Sequence, residues 1–145
     1  MTTTRVIVAN DAGARAFEHR GPGKPLIQLS EVAFEDGRRH AGELEEGGRG
    51  FGRGGQSRHG YEPHQDSRQH AVAHFARVLA QDLARDFHLG AFQQLVLVAP
   101  PRFLGLLRDA LDGKLTRALI GTVAKDLPRC SARDLSAHLG AFVAV

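Results

Sequence analysis

The sequence predicts an α/β fold: three antiparallel strands, then helix, strand, helix, strand and helix, with the helices packed on one mixed sheet. Three observations carry this expectation. Residues 5–34 hold three short strand-like segments separated by turn residues. Residues 66–88 repeat apolar side chains at helical spacing. Two apolar runs, Leu95–Ala99 and Ala118–Ala124, flank a segment opened by Pro101, the pattern of strands added in parallel through a crossover helix.

Each element has its own local reason. Arg5–Asn10 reads as a buried strand and Ala14–His19 as its hairpin partner, joined by Asp11-Ala12-Gly13, with Asp11 expected to close the turn. Gly21-Pro22-Gly23 breaks the chain. Leu26–Phe34 alternates loosely and reads as a third antiparallel strand. Glu35–Pro63 has no hydrophobic period and holds six glycines between Gly47 and Gly55, so it reads as a long loop, with 47–63 as its exposed part. Few side chains are available to hold 50–57 by packing, so that stretch is expected to be exposed and poorly ordered.

Asp66, with Gln69 three residues on, has the pattern of a helix N-cap, and Gly90 that of a stop after His88. The apolar face of this helix is Val72, Phe75, Leu79, Leu83 and Phe87. The opposite face carries His70, His74, Arg77, Gln81, Arg85 and His88, mostly basic and spaced by three and four. Pro101 suits the first turn of a helix running to Leu111, with Gly113 as its terminator. Ser131 and Asp134 form a capping pair for a last short helix ending near Gly140. This order of elements is the one found in ribonuclease-H-like domains, and 145 residues suit one such domain spanning the chain.

Composition narrows the function classes. Hydrophobic residues are 42% and charged residues 24% of the chain, as in an ordinary globular protein. The longest apolar runs fall far short of the roughly 20 residues a membrane-spanning helix needs, so no membrane role is expected. Met1–Arg5 has no secretory pattern, which places the protein in the cytoplasm. The single cysteine, Cys130, can form neither an internal disulfide nor a zinc site alone. Net charge is only +3, but 16 of the 19 basic residues are arginine, the side chain whose planar fork suits phosphate and base recognition. Charge is also segregated: residues 31–46 hold six acids and two bases, whereas 49–77 hold five arginines, four histidines and two acids. An acidic stretch followed by a basic, glycine-rich one is compatible with an RNA-facing loop.

The sharpest local feature is Gly52-Arg53-Gly54-Gly55-Gln56-Ser57. Paired glycines permit close approach to another backbone and leave their N–H groups uncovered. Gln56 cannot ionise, but its amide donates and accepts at once, so it can position a water or steady an oxyanion. Phe51 and Tyr61 flank the motif and are candidates for stacking on RNA bases. Other chemistries compete. His70 and His74 lie one helical turn apart, able to share a metal, but no Glu lies between them as in a zinc protease helix and no cysteine is near. For a two-metal nuclease, Asp11, Glu18 and Asp126 are the plausible sheet-edge carboxylates, and such a site needs several that converge. Asp126 is more simply read as pairing with an arginine or capping a loop. Phe103 is assigned to the core, and Arg102 to the turn that starts its helix.

The motif resembles the peptidyl-tRNA hydrolysis motif in the middle domain of archaeal and eukaryotic class-1 peptide release factors, a domain with a ribonuclease-H-like fold. The rest of the chain resembles the bacterial host attachment protein family, related to those factors, in residues 8–18, Arg58-His59-Gly60-Tyr61-Glu62-Pro63, residues 95–105 and Lys125-Asp126-Leu127. Its most specific piece is Ala99-Pro100-Pro101-Arg102-Phe103-Leu104-Gly105. The resemblance implies that Gln56 places the attacking water and that Gly54 and Gly55 let the loop enter the peptidyl transferase centre. Arg49, Arg53, Arg58, His70, His74, Arg77 and Arg85, the basic residues of the loop and of the polar helix face, are the candidates for RNA contact. The partners implied are the ribosome and tRNA, with no DNA, membrane, metal or cofactor. The chain departs from the release-factor pattern in one respect: Arg58–Asp66 intervene between the motif and His74-Phe75-Ala76-Arg77. Codon reading is not expected, since the length leaves no room for the domains that perform it. The family name points to a second role, a non-catalytic interaction or regulatory protein that affects attachment to host cells.

Overall fold

A computed structural model describes residues 2–34, 61–127, 129–140 and 142. The strands are β1 (Thr4–Asn10), β2 (Gly13–His19), β3 (Ile27–Ala33), β4 (Gln94–Ala99) and β5 (Leu119–Ala124). The helices are α1 (Tyr61–His88), α2 (Pro101–Ala110), α3 (Gly113–Ala118) and α4 (Ala132–His138). The strands form one sheet in the order β3-β2-β1-β4-β5. β1 pairs antiparallel with β2, and β2 with β3, whereas β1 to β4 and β4 to β5 are parallel. The expected α/β architecture and its ribonuclease-H-like strand order are therefore the ones observed.

The core follows from strand alternation. Val6–Ala9 of β1 and Leu95–Ala99 of β4 are apolar without interruption because both faces are covered, as parallel strands require. Ile7, Ala9, Leu95, Leu97 and Ala99 point to one face, where they meet Phe75, Ala76 and Leu83 of α1, Phe103, Leu104 and Leu107 of α2 and Leu115 of α3. Val6, Val8, Val96 and Val98 point to the other, where Phe17 joins them and Leu135 of α4 and the adjacent Leu139 close the layer. Two arginines on inner strands tie the sheet to its surroundings. Arg5, 7% exposed on β1, donates from Nη1 to Asp86 of α1 at 3.1 Å and lies 4.7 Å over the Phe92 ring. Arg15 on β2 donates to the carbonyls of Cys130 at 2.7 Å and Leu127 at 3.0 Å, tying the segment before α4 to the sheet.

Four elements depart from the sequence expectation. α1 begins at Tyr61, so Asp66 lies inside the helix rather than capping it. Gly113 does not end a helix: α2 stops at Ala110, and Gly113 opens the unforeseen α3, whose N-cap is Asp112, accepting from Leu115 N–H at 2.8 Å. β3 is exposed along its whole length at the sheet edge, and its alternation fails because Leu29 is an extra residue between the Phe17↔Gln28 and Ala16↔Ser30 pairs. The β1–β2 turn is closed by Asn10 rather than Asp11: the Asn10 side-chain oxygen accepts from Ala12 N–H at 2.8 Å and Gly13 N–H at 3.2 Å.

Other local expectations hold. Gly90 (φ +84°) stops α1, with Gly90 N–H donating to Phe87 O and Ala91 N–H to Asp86 O, the paired bonds of a Schellman end. Pro101 opens α2, and Ser131 caps α4 by accepting from Asp134 N–H at 3.0 Å. Phe103 is in the core, as expected.

Two predictions follow from these caps and turns. Gly90→Ala and Gly13→Ala test different costs. A Cβ at Gly90 meets nothing within 4 Å, so only the left-handed backbone is penalised, by about 1 kcal/mol. A Cβ at Gly13 falls 2.5 Å from the Val32 carbonyl oxygen, so the β2–β3 pairing must shift, at about 1–3 kcal/mol. Urea melts should rank Gly13→Ala below Gly90→Ala, and equal midpoints would refute the clash.

The second concerns Asp112. The Leu115 N–H, together with His88 3.5 Å away, holds its carboxyl below the ordinary value. A depressed carboxylate adds stability that is complete above its unfolded pKa of about 4 and fades as pH falls through the lower folded value. Asp112→Ala should cost about 1 kcal/mol at neutral pH, as loss of an N-cap does. That difference from the parent should shrink in melts run below pH 4.

Candidate functional site

α1 puts the predicted basic residues on one exposed stripe. His70, His74, Arg77 and Arg85 are all exposed, while Phe75 and Leu83 are buried and Val72, Leu79 and Phe87 pack half-buried against the core. The 3.6-residue repeat alone forces this division. Arg85 pairs with Asp82 at 3.1 Å, and His70, His74 and Arg77 make no hydrogen bond or ion pair among the described residues. An exposed row of this kind is suited to a polyanion backbone, since arginine matches phosphate geometry without needing a shaped pocket. Gly54, Gly55, Gln56, Arg49, Arg53 and Arg58 lie outside the described residues, as do Phe51 and the stretch 50–57 expected to be exposed. His70 and His74 join no larger donor set: among the described residues no group of three or more His, Cys, Asp or Glu could hold a metal ion.

A second feature was not foreseen from the sequence. A cleft of about 650 Å³ opens at the carboxyl ends of β1, β4 and β5, between the first described turns of α1 and the start of α2. Its charged lining is Asp11, Arg68, Arg102 and Asp126, and its apolar wall is Val72, Phe103 and Leu106. Because Asn10 closes the hairpin turn, Asp11 is released to accept from Arg68 Nη2 at 3.0 Å, joining the end of β1 to α1. The Asn10 amide donates to Asp126 at 3.0 Å, so one asparagine organises two carboxylates that come from distant parts of the chain. Of the two roles read for Asp126, pairing with an arginine or capping a loop, the first is not observed among the described residues: its partner is the Asn10 amide. Arg102, assigned from sequence to the turn, is exposed on the first turn of α2, which carries no acid to neutralise it. Beneath the cleft, ring contacts run from Phe103 to Phe75 at 5.8 Å and from Phe75 to Phe34, stacked at 4.4 Å, so its floor is rigid core.

The solved structures similar to this chain include the archaeal translation termination factor aRF1, at a TM-score of 0.52 and 15% identity. That match covers 88% of this chain and 31% of the factor. A second structure, described as an archaeal protein, matches at a TM-score of 0.47 and 13% identity, over 94% of this chain and 32% of its own. The chain thus spans about a third of the length of these structures, and the likeness to the termination factor is one of fold. No curated protein matched. The family model described as "Protein required for attachment to host cells" matches residues 5–139, nearly the whole chain. This protein belongs to that host attachment family.

Proposed function

We propose that the protein acts as one release-factor-like domain across residues 1–145, promoting hydrolysis of the peptidyl-tRNA ester at the ribosome, in rescue or another translational step. The observation that carries the reading is the join between motif and helix. The chain is helical by Tyr61, so at most four residues separate Gln56 from a helix whose exposed stripe is basic. Of Arg58–Asp66, the departure noted in the sequence, Tyr61–Asp66 already belong to that helix. The termination-factor fold is consistent with this placement.

In this reading His70, His74, Arg77 and Arg85, with Arg49, Arg53 and Arg58, neutralise RNA phosphates and fix the orientation of the domain. The Gln56 amide accepts a hydrogen bond from a water and holds it against the ester carbonyl. The water oxygen bonds to the carbonyl carbon, the bond to the ribose oxygen breaks, and a proton passes to that oxygen, giving a free peptide acid and a tRNA hydroxyl. Gln56 positions rather than ionises, so the rest of the site is completed by RNA and the isolated protein should be nearly inert on simple esters.

The family description favours a second reading, in which the same basic face docks a partner and the loop performs no chemistry. Ribosomes carrying peptidyl-tRNA separate the two. Gln56→Ala should slow peptide release on the order of a hundredfold while leaving binding intact, the scale of a lost positioning group. Arg77→Ala with Arg85→Ala should weaken ribosome binding and flatten its salt dependence. Wild-type protein that binds but releases no peptide would refute the hydrolytic reading and leave the docking role.

A further inference from the structure

The cleft beside α1 has a chemistry unlike the basic stripe, and the release-factor reading makes no use of it. Its position is the one where an α/β sheet can hold a ligand. From β1 the chain turns back to β2 on one side, and from β4 it crosses to β5 on the other, so the two connections diverge and leave a crevice at the carboxyl ends between them. At about 650 Å³ the crevice lies within the roughly 300–1,000 Å³ of sites that hold nucleotide- and drug-sized molecules.

The lining narrows the ligand further. Arg68 donates to Asp11 at 3.0 Å, and among the described residues Arg102 is the lining cation that makes no ion pair. Asp126 gives one carboxylate oxygen to Asn10 and retains acceptor capacity for a hydroxyl. Gln69, exposed on the rim, can donate and accept along a heterocycle edge. The half-buried Val72 and Leu106, over buried Phe103, offer an apolar strip for a flat ring. A cation site is the poorer match, since one of the two carboxylates is already held by an arginine. An acidic peptide or a triphosphate is poorer still, because among the described lining residues one unpaired guanidinium, Arg102, would face all the added charge with the Asp126 carboxylate in the same cleft.

We infer that this cleft binds one ribonucleoside 5′-monophosphate unit, either free or as the 5′ end of an RNA chain. Arg102 takes the phosphate, Asp126 a ribose hydroxyl, and the apolar strip and Gln69 the base. The inference does not depend on the hydrolytic reading.

The test is a titration of the full-length ¹⁵N-labelled protein with each of the four ribonucleoside 5′-monophosphates, followed by amide shifts. Saturable shifts at Gln69, Arg102, Phe103 and Asp126 are expected, with adenosine, ATP and inorganic phosphate each at least tenfold weaker than AMP. Arg102→Ala, an exposed change that leaves the core alone, should weaken AMP about tenfold or more, the scale of a lost charge-assisted hydrogen bond. It should also abolish the preference for AMP over adenosine. Asp126→Asn should remove the preference for AMP over its 2′,3′-dideoxy analogue. A 5′-phosphorylated ribotrinucleotide that gives the same shifts at lower concentration identifies an RNA end, and equal or weaker binding identifies the free nucleotide. No saturable shift at millimolar nucleotide, shifts that inorganic phosphate reproduces at equal concentration, or affinity unchanged in Arg102→Ala would each overturn the inference.

Discussion

The parallel pairing of β1 with β4, in register from Thr4↔Gln94 to Val8↔Val98, is the constraint from which the rest of the structure follows. A parallel pair needs a crossover, and strands so placed lie in the middle of the sheet with both faces to cover. Five consecutive buried apolar residues in β4, Leu95–Ala99, can be satisfied only by helices on both sides. α1, α2 and α3 therefore share one face, and the short α4, pinned through the Arg15 bonds to residues 127 and 130, closes the other. Each interior arginine sits where the pair's edges meet a helix or loop, its charge answered by Asp86 or by carbonyls and its plane laid on a phenylalanine ring. Losing the Asp86 carboxylate would leave the buried Arg5 guanidinium without its anionic partner, which ties this register to α1.

How much of this was legible depends on the range over which each signal acts. The apolar period of α1, the Gly90 stop and the Ser131 cap are local signals, and the structure agrees with each of them. Asp66 misled because a polar residue with Gln69 three positions on resembles a cap, but the first turns of a long helix tolerate both. Gly113 misled in the opposite way. Glycine is common after a helix, yet Asp112 before it is the stronger signal, since its carboxylate accepts from Leu115 and Leu115 is wholly buried. β3 reads as a loose alternation because one residue, Leu29, is inserted into its pairing, so no single face runs through the strand.

The same distinction separates the two candidate surfaces. The basic stripe is a property of one helix and can be seen in its repeat. The cleft is assembled from residues far apart in sequence: Arg68 meets Asp11 across 57 positions, and Asn10 meets Asp126 across 116. No spacing encodes such a set. A general rule could have pointed to it, namely that side chains just beyond the carboxyl ends of parallel strands gather in one place, and Asp11, Pro100 and Asp126 all stand just beyond such an end.

The two surfaces also meet on α1. Arg68, Gln69 and Val72 line the cleft, and His70 and His74 lie on the exposed face within the same two turns. Their charge balance sets what each can hold. On the stripe, Arg77 and the two histidines have no carboxylate partner among the described residues, so attraction grows with each phosphate a strand supplies and falls with salt. In the cleft two carboxylates oppose two arginines among the described residues, so a second and third phosphate meet repulsion that the first does not. A strand on the outer face and a single nucleotide at the strand ends are therefore separate demands on one helix, met by side chains that point to different sides of it.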